Sequence, residues 1–197
     1  KIMNWFAPVD IPIGLHWHHF GQNILPPIIP QLKEQISNED FVLVYLPWED
    51  PKLIESVLNK ISNKIFYVYG HTSKKTLRRN VKWKPFSRSG FIADLESCNG
   101  VLCNAGFELT SECLSLNKKI MVKPVMSQVE QLSNIKALDS LGLASTTNKI
   151  TTAIVSDWIE NDSKSLLPYF NVVDPVVDWI ESGSFDDIYS LRKKVWG

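Results

Sequence analysis

Cysteine is scarce in this chain: Cys98, Cys103 and Cys113 are the only three among 197 residues. An odd number at these spacings matches neither a disulfide framework nor a zinc or redox motif. We therefore expect reduced thiols that act as small apolar side chains, in a reducing, cytosolic compartment. Long apolar runs are also missing. No stretch approaches the roughly 20 apolar residues of a membrane-spanning helix, and no signal-like segment precedes the first elements. The expected setting is cytoplasmic, at most peripheral to the inner face of a membrane. Charge of one sign is absent too: Lys+Arg and Asp+Glu number 21 each, which removes any global electrostatic argument for a nucleic-acid partner. An anion site has to be local. The chain begins at Lys1 rather than at methionine, so we expect a piece of a longer protein.

What is present is ordinary globular composition, 44% hydrophobic and 21% charged, enough for one domain of more than average size or one domain and part of another. After the Pro-rich stretch LPPIIPQL (25–32), DFVLVYLP (40–47) is short, apolar and bounded by proline, as a strand buried on both faces should be. DPKLIESVLNKI follows, with Pro51 at the first turn and Leu53, Ile54, Val57, Leu58 and Ile61 at helical spacing. The alternation then repeats: strands at KIFYVYG (64–70) and VKWKPF (81–86), helix SGFIADLESC, strand GVLCNAG, helix FELTSECLSLN, strand KKIMVKP, helix EQLSNIKALDSLG stopped by Gly142, and helical stretches TTAIVSDWIEN and VVDPVVDWIESG. Strands separated by single helices imply an α/β, three-layer α/β/α Rossmann-like domain with a mainly parallel sheet, in which the segments 99–103 and 119–123 are adjacent. In such sheets ligands bind beyond the carboxyl ends of the strands. We divide the chain into an N-terminal arm or linker, 1–39, and a domain, 40–197.

The segment NAGFELTSECLSLNKKIMVKPVMSQVEQLSN (104–134) concentrates polar groups at those carboxyl ends. Asn104, Ala105 and Gly106 lie where a strand gives way to a helix, and small residues there let a ligand approach the unpaired amides of the helix's first turn. An anion suits them. Thr110 and Ser111 bring hydroxyls, and Glu112, one turn in, can accept two hydrogen bonds from a diol; a diphosphate followed by a ribose would satisfy the arrangement. The plainer reading is that small residues start most such helices and that Glu112 is a solvated helical residue. Glu108 opposes the anion reading, because its charge favours the helix start but repels a phosphate. Glu130 and Gln131 follow the next strand and should emerge at the same edge, where a carboxylate beside an amide suits the hydroxyls of a sugar. They also suit a plain helix start.

In this order, Trp83, Pro85 and Phe86, then Gly106, Thr110 and Glu112, then Glu130, Gln131 and Asn134, the chain resembles the nucleotide-sugar-binding half of glycosyltransferases with the two-Rossmann-domain (GT-B) fold. The nearest relatives are the UDP-glycosyltransferases and the lipid-linked N-acetylglucosaminyltransferase of peptidoglycan synthesis. The resemblance runs from about Asp40 to Ala144 and is most specific between Trp83 and Asn134. It implies that the loop at Phe86 and Ser87 contacts the base, that Gly106 and Thr110 contact phosphate, that Glu112 holds the ribose, and that Glu130, Gln131 and Asn134 contact the donor sugar. The chain departs from the pattern in having Asn104 where many relatives have histidine, Glu108 and Leu109 in place of an Asn-Ser pair, and a longer loop from Pro124 to Glu130.

The expected function is the donor-binding domain of a glycosyltransferase of hexosyltransferase type that uses a nucleotide diphosphate sugar, a UDP-sugar by the resemblance. The acceptor is unnamed, lipid-linked or polysaccharide, and the resemblance places the catalytic base in an N-terminal domain. No cofactor, metal or nucleic acid is expected. The alternatives are a UDP-sugar epimerase or hydrolase of the same fold, for which no acid–base pair stands out beyond Glu112 and Glu130, and a noncatalytic nucleotide-binding module. Two features stay outside this scheme. His16, His18 and His19 lie at a spacing that fits no zinc pattern and are expected to pack against tryptophans. SKKTLRRNVKWK (73–84) is a basic run that either forms a solvated face or meets an anionic membrane surface.

Overall fold

The apolar run around Val42 has no polar alternation because both of its faces are covered, and in the computed structural model it becomes the centre of the sheet. The structure describes residues 8–29, 37, 39–70, 80–161 and 166–197. Two compact units emerge. The described residues up to 29 and Pro168–Gly197 form one; the described residues from 37 to Leu167 form the other. The break at residue 39 read from sequence follows a different line, since it leaves the C-terminal helices with the sheet.

The first unit begins with β1 (Gly14–Leu15) and β2 (Ile24–Leu25), a two-residue parallel pair. The larger unit carries β3 (Glu39–Tyr45), β4 (Ile65–Tyr69), β5 (Val81–Lys84), β6 (Cys98–Asn104), β7 (Lys119–Lys123) and β8 (Ser145–Thr146), with helices α1 (Pro51–Leu58), α2 (Arg88–Ser97), α3 (Phe107–Ser115), α4 (Val129–Leu141) and α5 (Thr152–Glu160). The first unit is completed by α6 (Val173–Ser182) and α7 (Ile188–Trp196).

All six strands of the large sheet are parallel, in the order β5-β4-β3-β6-β7-β8. The chain starts at β3, winds outward to β5, then crosses back to β6 and winds the other way. This is the Rossmann-like architecture expected from the alternating pattern, with 99–103 beside 119–123 through pairs such as Gly100 with Lys119 and Asn104 with Lys123. The winding reverses between β3 and β6, so their carboxyl ends, Tyr45 and Asn104, flank the crevice where such sheets bind ligands.

Local chemistry fixes the helix ends. Asp50 caps α1 by accepting from the Lys52 amide at 2.9 Å, with Pro51 as the first helical residue. Ser87 caps α2 by accepting from the Gly90 amide at 3.2 Å. Gly142 ends α4 with φ of 63°, a left-handed conformation that glycine adopts without strain. The core packs Val42, Val44, Phe66, Val68, Leu102 and Met121 from the strands against Ile54, Leu58, Val155 and Trp158 from the helices. At the other edge of the sheet the buried Lys118 donates to the carbonyls of Ser37, Glu96 and Cys98, which satisfies a charge taken out of water.

The three cysteines are free and buried. Burial raises the Cys98 thiol to about 11 and the Cys103 thiol to about 12. Among the described residues no helix is long and apolar enough to cross a membrane. Of the basic run, Lys74, Lys75, Arg78 and Arg79 lie outside the described residues. Lys82 and Lys84 stand over the Tyr67 ring at 5.2 and 4.0 Å, and Lys84 pairs with Asp94 at 2.5 Å.

Candidate functional site

At the carboxyl edge lies a cleft of about 460 Å³, lined by Tyr45, Tyr69, Phe86, Ser87, Arg88, Phe91, Ile92, Glu108, Leu109 and Glu112. The fold makes it in a simple way. Tyr45 and Tyr69 are the last residues of adjacent strands β3 and β4, Phe86 to Arg88 follow β5, and α3 supplies the far wall. Four aromatic rings form one side: Tyr45 meets Phe86 and Phe91 edge to face at 6.2 and 5.5 Å, and Tyr69 meets Phe91 at 5.0 Å. The Tyr69 hydroxyl donates to Asp94 at 2.7 Å. Burial and that bond hold the phenol well above its ordinary range, so it stays a neutral donor.

Opposite the rings stand two carboxylates one helical turn apart. Burial raises the Glu112 carboxyl above the ordinary carboxylate range; Glu108 adds to the shift and Arg88 opposes it. The cleft therefore combines flat apolar faces with an acceptor-rich wall, and among the described residues Arg88 is the only cation lining it. Such a cleft suits a planar base and a diol better than a bare phosphate.

Among the residues singled out from sequence, Phe86, Ser87 and Glu112 come together in this cleft. Gly106 caps α3 without any side-chain hydrogen bond, and a methyl group placed on it would meet nothing within 4 Å. That open space lies at the uncapped, positive end of the helix. Asn104 is buried; its amide donates to the Lys123 carbonyl at 3.1 Å, while its Oδ1 is enclosed without a partner. The carbonyl contact fixes the amide's orientation. Across the head of β6, Lys123 pairs with Glu49 at 2.6 Å, both largely buried.

Four of the side chains named from sequence, Thr110, Ser111, Gln131 and Asn134, make hydrogen bonds within the protein. Thr110 is fully buried and donates to the Gly106 carbonyl at 2.7 Å, and Ser111 donates to the Phe107 carbonyl at 2.7 Å. Hydroxyls in the first turns of a helix commonly turn back to the carbonyl four residues earlier. Gln131 is also buried: it accepts from the Val125 amide at 3.0 Å and donates to Gln128 at 2.6 Å, so it braces the loop after β7. Asn134 donates to the Ala105 carbonyl at 2.9 Å and ties α4 to the loop before α3. Glu130 is exposed in the first turn of α4.

Tyr45, Tyr69, Arg88 and Phe91 were not singled out from sequence. The two tyrosines carry a usable signal, since each is the last strand residue before a loop, but only the strand order shows that they are neighbours. Trp83 donates to Glu55 at 2.9 Å and approaches Gly70 so closely that a methyl group there would lie 3.0 Å from its ring.

In the other unit a larger groove, of about 950 Å³, runs along Pro8 to Gly14 with Gln22, Asn23, Trp179 and Phe185. Among the described residues lining it, Asp10 is the only charged one. Among the described residues no group of three or more His, Cys, Asp or Glu is placed to hold a metal ion.

No curated protein sequence matches the chain. Of solved structures, the glycotransferase of kitacinnamycin is similar with a TM-score of 0.50 and 14% identity, over 86% of this chain and 44% of that one. The glycosyltransferase SnogD from Streptomyces nogalater gives 0.45 and 16%, over 86% and 40%. The solution structure of ALG13 gives 0.46 and 15%, over 81% of this chain and 98% of that one. The chain thus spans less than half the length of the first two. Residues 20–161 match the model of the family described as Glycosyl transferase family 1, and with a Rossmann-like sheet of the GT-B type around its cleft, the chain belongs to that family.

Proposed function

We propose that the cleft holds the nucleotide of a sugar nucleoside diphosphate, a UDP-sugar, and that the chain is the donor-binding part of a glycosyltransferase of hexosyltransferase type. The observation that carries this reading is the pairing of an aromatic wall with Glu112 across a cleft at the β3/β6 reversal. The base lies against Phe86, Phe91 and Tyr45, the ribose hydroxyls donate to Glu112, and the diphosphate runs toward Gly106 and the uncapped start of α3. Glu108 is compatible with this direction, because its wall receives the neutral, donor-bearing nucleoside and the phosphates lie toward the helix end. The hexose reaches the loop after β7, where Glu130 is exposed and Gln131 sets the backbone.

The chemistry is displacement at the anomeric carbon. The bond from that carbon to the diphosphate oxygen breaks, the acceptor hydroxyl forms the new glycosidic bond and releases its proton to a base, and the departing diphosphate gains negative charge. The start of α3 stabilises that charge through its amides and dipole. The base and the acceptor site belong to the remainder of a longer enzyme, in keeping with the 44% of the kitacinnamycin protein that the chain spans.

Calorimetric titration with UDP, GDP, ADP, CDP and dTDP tests the donor assignment. UDP should bind tightest, and UDP-hexose should bind at least as well. If no nucleoside diphosphate binds, the assignment fails. Labelled UDP-sugar with an acceptor and the full-length enzyme should then give glycosylated product rather than epimerised or free sugar.

A further inference from the structure

The histidines left outside the sequence scheme are built into the unit that does not contain the cleft. Between β1 and β2 the chain folds back through two left-handed residues, Phe20 with φ of 47° and Gly21 with φ of 74°. Left-handed backbone at a phenylalanine is costly and persists only where its surroundings enforce it. Here the enforcement comes from two imidazoles. His18 Nδ1 accepts from the Phe20 amide and His19 Nδ1 accepts from the Gly21 amide, each at 2.9 Å. With Nδ1 used as acceptor, the proton of each neutral ring sits on Nε2.

The rings of His18 and His19 stack with centroids 4.6 Å apart and planes 20° from parallel. In each ring the Nε2–H lies on the far side from the amide that Nδ1 accepts from. Trp196 of α7 stands beside both rings, at 6.2 and 5.9 Å. One turn earlier on α7, Arg192 donates to the Gln22 carbonyl at 3.0 Å, and the Tyr189 ring lies 5.3 Å from its Cζ. The guanidinium is thus held against the loop by one of its five N–H groups, with the rest of its fork still to donate. Burial first, and then the like charges of His18 in its own loop and Arg192 on α7, lower the His19 imidazole below its ordinary value. His16, the third histidine of the loop, is half-buried against Trp17 and Phe20. Lys194, also on α7, pairs with Asp178 at 2.9 Å.

We propose that His18, His19 and Arg192 form an anion site that takes a phosphate or diphosphate group. Two imidazole N–H donors and a planar fork supply more donors than a carboxylate's two oxygens would use, and they suit the three or more oxygens of a phosphate. Protonation of either ring would place a hydrogen on the Nδ1 that accepts from the Phe20 or Gly21 amide, so the donors are those of the neutral imidazoles and Arg192 supplies the positive charge. None of these residues lines the nucleotide cleft, so the site stands apart from the donor reading. The group is carried either by a soluble phosphate ester or by a lipid headgroup.

The test uses inorganic pyrophosphate with the whole chain, by calorimetry at pH 6 and pH 8. Affinity should be no weaker at pH 8 than at pH 6, because the neutral imidazoles and the Arg192 guanidinium supply the donors. The double variant His18→Asn, His19→Asn keeps an acceptor where Nδ1 stood and deletes the Nε2 donors, so the turn survives and pyrophosphate affinity should fall about tenfold or more. Arg192→Gln should have the same effect, and neither change should alter UDP affinity. Binding that is absent, lost at pH 8 or untouched by these variants overturns the proposal, as does loss of pyrophosphate binding in Glu112→Ala, which would place that anion in the nucleotide cleft. Failure of UDP to bind while pyrophosphate behaves as described would overturn the donor reading alone. Vesicles of phosphatidic acid against phosphatidylcholine identify the carrier. Co-sedimentation lost in the same variants assigns a headgroup, and pyrophosphate binding without co-sedimentation assigns a soluble ester.

Discussion

The Thr110 hydroxyl donates to the carbonyl of Gly106 at 2.7 Å, four residues back along the chain. The side chain is fully buried, so its polar group stabilises the start of α3 from inside and leaves the outer face of that turn to main-chain amides. Thr110→Val removes the bond at nearly constant volume. Unfolding stability should fall by about 1 kcal/mol, and UDP affinity should stay within about twofold of the parent. A large loss of UDP affinity at unchanged Tm would mean that the hydroxyl turns outward to the ligand.

Gly106 itself has the opposite character. Its φ of −71° is open to any residue, and a methyl group there meets nothing within 4 Å. Replacing it with alanine should leave stability within about 1 kcal/mol of the parent, because the helix-start preference for glycine and the reduced freedom of the unfolded chain nearly cancel. If the empty volume is where a diphosphate passes, Gly106→Ala should weaken UDP by about tenfold or more while the chain still folds. Unchanged affinity for UDP in this variant removes the start of α3 from the site.

Glu112 links the cleft to pH. Its carboxyl is raised by burial and by Glu108, more than Arg88 offsets, so the folded state holds the proton to higher pH than the unfolded chain does. Stability contributed by the protonated form is therefore present at low pH and is lost as pH rises through the raised value. Glu112→Gln should melt at a higher temperature than the parent at pH 7, and the gap should close as the pH approaches 4. Binding should move in the other direction: loss of the charge should weaken UDP by about 1.5 to 3 kcal/mol at pH 7. Melting curves and titrations across pH 4 to 8 measure both. A variant no more stable than the parent at pH 7 would show that the carboxylate is not strained by the cleft.

Which parts of this could be read in the sequence follows from how local each determinant is. Val42 to Val44, Val101 to Cys103 and Ile120 to Val122 are uninterrupted apolar runs, so their place in a buried parallel sheet needs no tertiary information. Glu112 was singled out from its place in the helix after a strand, and Phe86 and Ser87 only through the family resemblance. Tyr45 and Tyr69 were not, since their approach depends on β3 and β4 being neighbours and on the chain reversing between β3 and β6. Thr110 and Gln131 were read as facing a ligand because a hydroxyl or an amide looks the same in sequence whether it donates outward or to its own backbone. The two-residue strands β1, β2 and β8 carry too few side chains to show any period.

Gln131 is where that ambiguity can be resolved by experiment. The side chain is buried and joins the Val125 amide at 3.0 Å to Gln128 at 2.6 Å, so it shapes the loop from Pro124 to Gln128. Gln131→Ala leaves the Val125 amide without its acceptor, and stability should fall by about 1 to 3 kcal/mol. The neighbouring Glu130 is exposed, and Glu130→Ala should leave stability within about 0.5 kcal/mol of the parent. If the loop and the Glu130 carboxylate meet the hexose, both variants should bind UDP as the parent does and bind the UDP-sugar more weakly, so the ratio of the two affinities is the quantity to measure. Should Gln131→Ala weaken UDP and UDP-sugar in equal proportion, the loop supports the nucleotide cleft as a whole. Should Glu130→Ala leave the ratio unchanged, the sugar lies elsewhere along the edge of the sheet.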